Sequence, residues 1–288
     1  MSIVTKNADS MYDPLNPDEI QFKESFYQQQ VDLVLNHPIV YKYINFESGM
    51  KILSDHTLAF RCPLEVNDPF DCNLSLIDFE KVPRSFIENL INKYPTYFDE
   101  TTKKKLLTEP LEDTYARVRD AINIGMQGDL SKRGMSCFSE TFSNLLMWSH
   151  YGNSHSGICI GFNLANLYGS IRSSSHPERF MAKVKYSKDF VAKDHYQHRW
   201  ESIVDWLRTK SIDWEYEKEI RIVLYDLVFK DKLHIKPIDK DSIVSVFLGS
   251  KILKENEGEL RATVAKQLPN VIIKKMTQIK NKFEVIPI

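Results

Sequence analysis

Cysteine is scarce in this sequence, and its few cysteines are scattered. Cys62, Cys72, Cys137 and Cys159 stand singly, with no Cys-x-x-Cys pair among the 288 residues. This usage indicates reduced thiols in a cytosolic protein. The first 20 residues also lack an apolar segment with basic flanks, so we expect no secretory signal.

Long apolar runs and an excess of one charge are absent too. No stretch of the sequence approaches the roughly 18 apolar residues of a membrane-spanning helix. The 38 basic and 39 acidic residues nearly cancel, so no broad electrostatic surface for nucleic acid or an anionic membrane is indicated. The Gly-x-Gly-x-x-Gly, Walker and Gly-x-Ser-x-Gly motifs are missing, which argues against nucleotide hydrolases and serine hydrolases. We therefore expect a soluble, cytoplasmic protein with no membrane partner.

The sequence does contain enough apolar and aromatic residues for a folded core. Hydrophobic residues make up 42% and aromatic residues 11% of the chain, which is typical of a globular protein. The length favours one domain of roughly 250 residues with an N-terminal extension. We expect the extension at residues 1–37, with a helix from Pro17 to about Asn36, and a single domain at 38–288.

Strand-like and helix-like segments alternate without a regular order. Strands are predicted in "PIVYKYI", "TLAFR", "RGMSCFS", "SGICIGFN" and "FMAKVKY", and several more follow. A helical segment at about 83–127 interrupts these strands, and we expect it to be an insertion that recognises a substrate. The irregular order predicts the α+β class with a mixed sheet.

The segment "WEYEKEIRIV" carries an unusual run of charge. If Trp214–Val223 is one strand, Glu215, Glu217, Glu219 and Arg221 point to the same face. The run is either a solvated edge or helix end, or a cleft in which a carboxylate acts and Arg221 compensates its charge.

Two further segments hold residues that suit a pocket. The first runs from Cys137 to Phe162 as "CFSETFSNLLMWSHYGNSHSGICIGF", and its neighbourhood offers Ser136, Phe138, Ser139, Trp148, His150 and Tyr151. Its aromatic residues could instead belong to the core, and a Cys-His pair or a metal on its histidines has no further support in the sequence. The second offers Tyr41, Lys42 and Tyr43 on an early strand and Asn67 and Asp68 on a loop, where they could simply bond their own turn.

These segments together resemble a known family. "YKY", "NDPFD", "CFSE", "MWSHYG" with "GICIGF", and "WEYEKEIR" occur in the order found in the bacterial domain of unknown function 2971. More distantly, the pattern resembles ADP-ribosyltransferase-like domains of the DarT type. That resemblance implies a mixed, split β-sheet core and NAD as the substrate, with no metal.

The same resemblance implies a role for each candidate residue. Glu219 would orient the ribose 2′-hydroxyl and stabilise the oxocarbenium ion, while Glu217 would act as general base. Lys42 and Arg221 would meet the pyrophosphate or hold the carboxylates. The remaining NAD contacts would come from Tyr41, Tyr43, Asn67, Asp68, Ser136, Phe138, Ser139, Trp148, His150 and Tyr151.

The acceptor would be a nucleic acid or a protein, and the chain would be a bacterial toxin or defence effector with a partner protein. Two other functions remain open. One is a metal-dependent nuclease that uses Glu217, Glu219, Asp68 and His150. The other is a sensor or binding module of a defence system that catalyses nothing.

Overall fold

The computed structural model describes residues 17–93, 95–96, 98–113, 124–125, 127–128, 130–171, 179–282 and 284–288. Its helices and mixed sheet confirm the predicted α+β class. Within the described part of the chain, no helix combines the length and the apolarity that a membrane crossing requires. The expected extension and single domain stay predictions.

The N-terminal half confirms most of the predicted elements. Helix α1 spans Pro17–Asn36, with the acidic Asp18 and Glu19 in its first turn, where negative charge is favourable. The elements that follow are β1 (Ile39–Ile44), α2 (Phe46–Asp55), β2 (Thr57–Arg61) and β3 (Ile77–Asp78). The expected helical insertion begins with α3 (Arg84–Lys93) and α4 (Glu100–Thr108), which pack on each other. Part of that insertion lies outside the described residues.

The central segment supplies the elements around the candidate site. They are β4 (Gly134–Ser139), α5 (Leu145–His150), β5 (Ile158–Asn163), α6 (Leu164–Ser170), β6 (Arg179–Lys183), β7 (Lys185–Ser187), β8 (Lys193–Asp194), α7 (Arg199–Arg208), β9 (Thr209–Ser211) and β10 (Glu219–Leu224). The C-terminal part adds β11 (Leu233–Pro237), β12 (Ile243–Leu248), α8 (Lys254–Gln267), β13 (Ile272–Gln278) and β14 (Val285–Pro287).

The main sheet is divided at strand β4. One edge of β4 pairs with β10 along its whole length, from Gly134 to Ser139. The other edge meets β1 only at Tyr41 and Ser139, and β2 only at Arg61 and Met135. Lys42 lies where β1 and β4 separate, and its Nζ donates to the Cys137 carbonyl at 3.0 Å and contacts the Ser136 hydroxyl at 3.1 Å.

Apolar clusters cover both faces of this sheet. The largest packs α2, α6 and α8 against residues such as Phe60, Phe162 and Ile220. A second packs Trp206 and other residues of α7 against β4, β6 and β10. Strand β10 therefore lies deep in the molecule, between β4 and β6, and this position brings its polar residues into the interior.

The single strand considered for Trp214–Val223 forms only in its second half. Residues Ile212–Glu217 form a 3₁₀ helix, with the Ser211 hydroxyl accepting from the Asp213 N–H at its start. Lys218 then adopts the left-handed conformation with φ 46°, and the strand begins at Glu219. Glu215 is consequently exposed, whereas Glu217 and Glu219 are buried, so neither of them lies on a solvated edge.

Candidate functional site

Five charged side chains meet in the interior beside β10. Asp71 comes from the loop after β2, Lys210 from β9, Glu217 from the end of the 3₁₀ helix, and Glu219 and Arg221 from β10. Their exposed fractions range from 0% to 8%. We call these five residues the charged cluster. Buried charges are stable only when they are paired and hydrogen-bonded, and the contacts within the cluster meet that need.

Arg221 is the centre of the charged cluster. Its guanidinium binds both oxygens of Asp71, with Nη1–Oδ1 2.9 Å and Nη2–Oδ2 2.6 Å. It also binds both oxygens of Glu219, with Nε–Oε1 2.8 Å and Nη2–Oε2 3.0 Å. A further N–H donates to the Leu207 carbonyl. Of the two roles expected for Arg221, the structure supports the holding of carboxylates, because these contacts occupy the whole guanidinium.

Lys210 joins the two glutamates. Its Nζ lies 2.6 Å from Glu217 Oε2, 3.3 Å from Glu219 Oε2 and 3.7 Å from Asp71 Oδ2. The same ammonium group lies 4.9 Å from the centre of the Trp214 ring, a distance at which a cation is attracted to an aromatic face. Three carboxylates therefore share two cations, which leaves one carboxylate charge without full compensation within the cluster.

Glu217 is the carboxylate that the central segment reaches. The Tyr151 hydroxyl, just after α5, donates to Glu217 Oε1 at 2.5 Å. The Ser139 hydroxyl donates to the Glu217 backbone carbonyl at 2.6 Å, and Ser139 is the β4 residue opposite both Glu219 and Tyr41. Two of the segments that the sequence analysis singled out, Cys137–Phe162 with its neighbourhood and Trp214–Val223, thus meet at Glu217.

The two glutamates differ in their electrostatic surroundings. Burial and the nearby Glu219 charge raise the pKa of Glu217, and contacts with Lys210 and Tyr151 only partly offset them. Burial would also raise the pKa of Glu219, but the Arg221 guanidinium and Lys210 outweigh it, so that pKa is held well below its usual range. Glu219 is therefore a fixed anion, and Glu217 is the stronger base.

Several predicted binding residues lie in the core instead of on a pocket wall. Trp148 is fully buried and its indole N–H donates to the Phe142 carbonyl, so its ring has no face left for a nicotinamide. The Tyr43 hydroxyl donates to the Thr141 carbonyl, and its ring packs edge-on against Trp148. The half-buried Tyr41 ring packs against Phe142. Phe138 is likewise buried.

The predicted loop residues Asn67 and Asp68 do not join the charged cluster. The Asp68 carboxylate accepts the Phe70 N–H at 2.9 Å, which is the turn contact that the sequence left open as an alternative. Lys42 and Ser136 bond each other where β1 and β4 separate, and burial lowers the pKa of Lys42.

An aromatic rim surrounds Glu217 at the surface. Tyr151, Trp214 and Tyr216 are half-buried and His150 is exposed. The ring of His150 lies 6.4 Å from that of Tyr151 and 6.2 Å from that of Tyr216. The Trp214 and Tyr216 rings are 6.0 Å apart. Such half-exposed rings are suited to stacking on a flat ligand.

The alternative chemistries find less support in this geometry. Among the described residues, no group of three His, Cys, Asp or Glu side chains could hold a metal ion, and the clustered carboxylates already bind Lys210 and Arg221. Burial raises the pKa of the Cys137 and Cys159 thiols, which does not suit a nucleophile.

The sequence analysis missed two members of the charged cluster, Asp71 and Lys210. Asp71 closes the motif "NDPFD", in which the turn residues Asn67 and Asp68 carry the more obvious local signal. Lys210 lies in "RTKSIDW", seven residues before Glu217, and shows no pattern by itself. The excess of acidic over basic residues in "WEYEKEIRIV" is a signal that favours a search for a further cation.

Residues 147–222 match a family model described as protein of unknown function (DUF2971). Over this segment, the match agrees with the family resemblance of the sequence. It includes Tyr151, Lys210, Glu217, Glu219 and Arg221, but not Asp71. No curated protein and no solved structure matches the chain.

Proposed function

We propose that this chain is an NAD-dependent ADP-ribosyltransferase-like enzyme whose catalytic carboxylate is Glu217. The observation that carries the proposal is the contact of Glu217 with the Tyr151 hydroxyl at 2.5 Å, under a rim of half-exposed rings. A hydroxyl of the NAD ribose has the same donor chemistry and would replace that of Tyr151. The nicotinamide would stack on the rim residues Tyr151, Trp214 and Tyr216.

The proposed reaction breaks one bond and forms one. The glycosidic bond between ribose C1′ and the nicotinamide nitrogen breaks, and nicotinamide leaves with the electron pair. The negative charge of Glu217 stabilises the resulting oxocarbenium ion, an effect that is large where water is excluded. An acceptor oxygen or nitrogen then bonds to C1′ and loses its proton to Glu217, whose raised pKa suits a general base.

In this mechanism Glu219 is a positioning residue. Both of its oxygens are bound by Arg221, and one of them also by Lys210. These contacts leave Glu219 little capacity for a ribose hydroxyl. Its role is to fix Lys210, which in turn fixes Glu217 Oε2.

The test is nicotinamide release from NAD, with and without bacterial nucleic acid or protein as acceptor. We expect the wild-type protein to release nicotinamide and to transfer label from NAD labelled in its adenylate phosphate. Glu217→Gln should lower the rate by about 100-fold or more, the usual effect of losing a general base.

Glu215→Gln is the matched control, because Glu215 lies on the same 3₁₀ helix but is exposed. It should keep the wild-type rate. Equal turnover by Glu217→Gln and wild type would refute the role of Glu217. Absence of turnover with every acceptor would refute the proposed reaction.

A binding module without catalysis is the second candidate. The nearly complete burial of the charged cluster favours it, since such a cluster can serve stability alone. In that case Glu217→Gln would leave ligand binding intact, while Tyr216→Ala would abolish it, because only the rim would contact the ligand.

A further inference from the structure

A separate cleft lies next to the charged cluster. Its volume is about 400 Å³, and it opens between residues 185–193 and the end of α7 with the start of β9. Cavities of this size hold small ligands such as a nucleotide. Its floor includes Tyr186, whose hydroxyl accepts the backbone N–H of Glu219 at 2.8 Å, so a single side chain separates the cleft from the charged cluster.

Two lysines, Lys185 and Lys193, line the cleft together with two carboxylates, Asp189 and Asp205. Lys185 and Lys193 approach Asp205 at 3.1 Å and 3.5 Å, on its two different oxygens. Arg208 Nε binds the same carboxylate at 2.9 Å, and Lys193 also pairs with Glu201. Arg208 and Glu201 lie outside the lining of the cleft. The side chains of Lys185 and Lys193 are 52% and 33% exposed, and each ammonium has three donors, so both can also bind an anion in the cleft.

Exposed apolar side chains also line the cleft. Phe190 and Val191 line the cleft and are 48% and 86% exposed. An exposed aromatic ring near lysine side chains, such as that of Phe190, is suited to stack on a nucleobase. Asp189 also lines the cleft, and a carboxylate in such a position accepts hydrogen bonds from ribose hydroxyls.

We propose that this cleft binds a nucleoside phosphate. Lys185 and Lys193 would hold the phosphates, Asp189 the ribose hydroxyls, and Phe190 the base. That chemistry has two possible sources, the NAD donor or a free nucleotide. The first source rests on the proposed function, whereas nucleotide binding itself does not.

Calorimetric titration with ADP tests the binding. We expect ADP to bind and adenosine to bind at least about tenfold more weakly, because adenosine lacks the charge-assisted contacts. The double variant Lys185→Met with Lys193→Met should weaken ADP binding by about tenfold or more. Lys188→Met is the matched control, since Lys188 is an exposed lysine of the same segment that does not line the cleft, and it should bind ADP as wild type does.

Two exposed positions keep the test independent of folding. Phe190→Ala should weaken ADP binding but leave inorganic pyrophosphate binding unchanged. Wild type should bind ADP more tightly than 2′,3′-dideoxy-ADP, which lacks the ribose hydroxyls. Asp189→Asn should make this difference in affinity smaller. No binding of ADP to the wild-type protein, or equal binding by the double-lysine variant, would overturn the proposal.

Competition between NAD and ADP for the cleft identifies the source of the nucleotide. If the cleft holds part of the donor, NAD should displace ADP, and the double-lysine variant should raise the KM for NAD. If NAD and ADP bind together, the ligand is a free nucleotide. ADP binding without any NAD turnover would support the cleft and refute only the proposed reaction.

Discussion

Glu217 and Glu219 are two residues apart, yet their carboxyl groups have opposite pKa shifts. Arg221 binds both oxygens of Glu219, whereas Glu217 receives one ammonium and one phenol. A hydrogen bond to the charged form of an acid lowers its pKa. The Tyr151 hydroxyl therefore opposes the upward shift that burial and Glu219 impose on Glu217.

This contact predicts the pH dependence of the proposed reaction. Tyr151→Phe removes a donor to ionised Glu217, so the pKa of Glu217 should rise further above its usual value. Glu217 acts as a base only when ionised, and the acidic limb of kcat/KM against pH should therefore move to higher pH. Tyr216→Phe is the control. The Tyr216 backbone carbonyl accepts a hydrogen bond from the Asn144 side-chain amide, and this contact does not involve the Tyr216 hydroxyl. A shift to lower pH in Tyr151→Phe would contradict the assignment.

The sequence could predict the members of the site that belong to local patterns. Glu217, Glu219, Tyr151 and Ser139 stand out because polar residues there interrupt apolar segments. Trp148 was expected to contact a ligand but is buried in the core. An aromatic residue beside a turn has the same local pattern in both cases. Lys210 was missed because its role depends on a contact across β9 and β10 that no local pattern encodes.

At the level of elements, the charged cluster fastens the loop after β2 to the sheet. Asp71 is the loop residue that reaches Arg221, and the Cys72 carbonyl accepts the Trp206 indole N–H from α7. The sequence predicts this loop from its two prolines, but not its attachment. It likewise predicts β10 but extends it too far, since the 3₁₀ helix before it depends on the Ser211 cap and on the Glu217 contacts.

The attachment predicts a large loss of stability for Asp71→Asn. Asp71→Asn replaces one accepting oxygen by an NH2 group and loses a charge-assisted hydrogen bond to Arg221, which costs about 1.5–3 kcal/mol. We expect the free energy of unfolding, measured by denaturant titration, to fall by that amount at an unchanged slope. Asp68→Asn in the same loop should stay within about 0.5 kcal/mol, because Asp68 is only half-buried and lies outside the charged cluster, and the amide oxygen of Asn can still accept the Phe70 N–H. Equal stability of both variants would show that Arg221 does not hold this loop.

For the whole molecule, the division of the sheet at β4 determines which segments of the chain come together. Strand β1 reaches β4 only at Tyr41 and Ser139, and β10 pairs with the other edge of β4. Segments that are about 180 residues apart therefore meet at one end of β4. Composition and periodicity predict the α+β class, but this strand order arises from long-range pairing that no local pattern encodes.

The proposed toxin or defence role makes a prediction at the same scale. An enzyme that transfers ADP-ribose to an essential nucleic acid or protein consumes NAD and damages its host, unless a partner protein restrains it. Induced expression of the wild-type chain in a bacterium should therefore slow growth and lower cellular NAD. Glu217→Gln should do neither at the same soluble protein level, and Glu215→Gln should behave as wild type. If Glu217→Gln inhibits growth as strongly as wild type does, the toxicity does not depend on Glu217. The binding module would then explain the data better than the proposed enzyme.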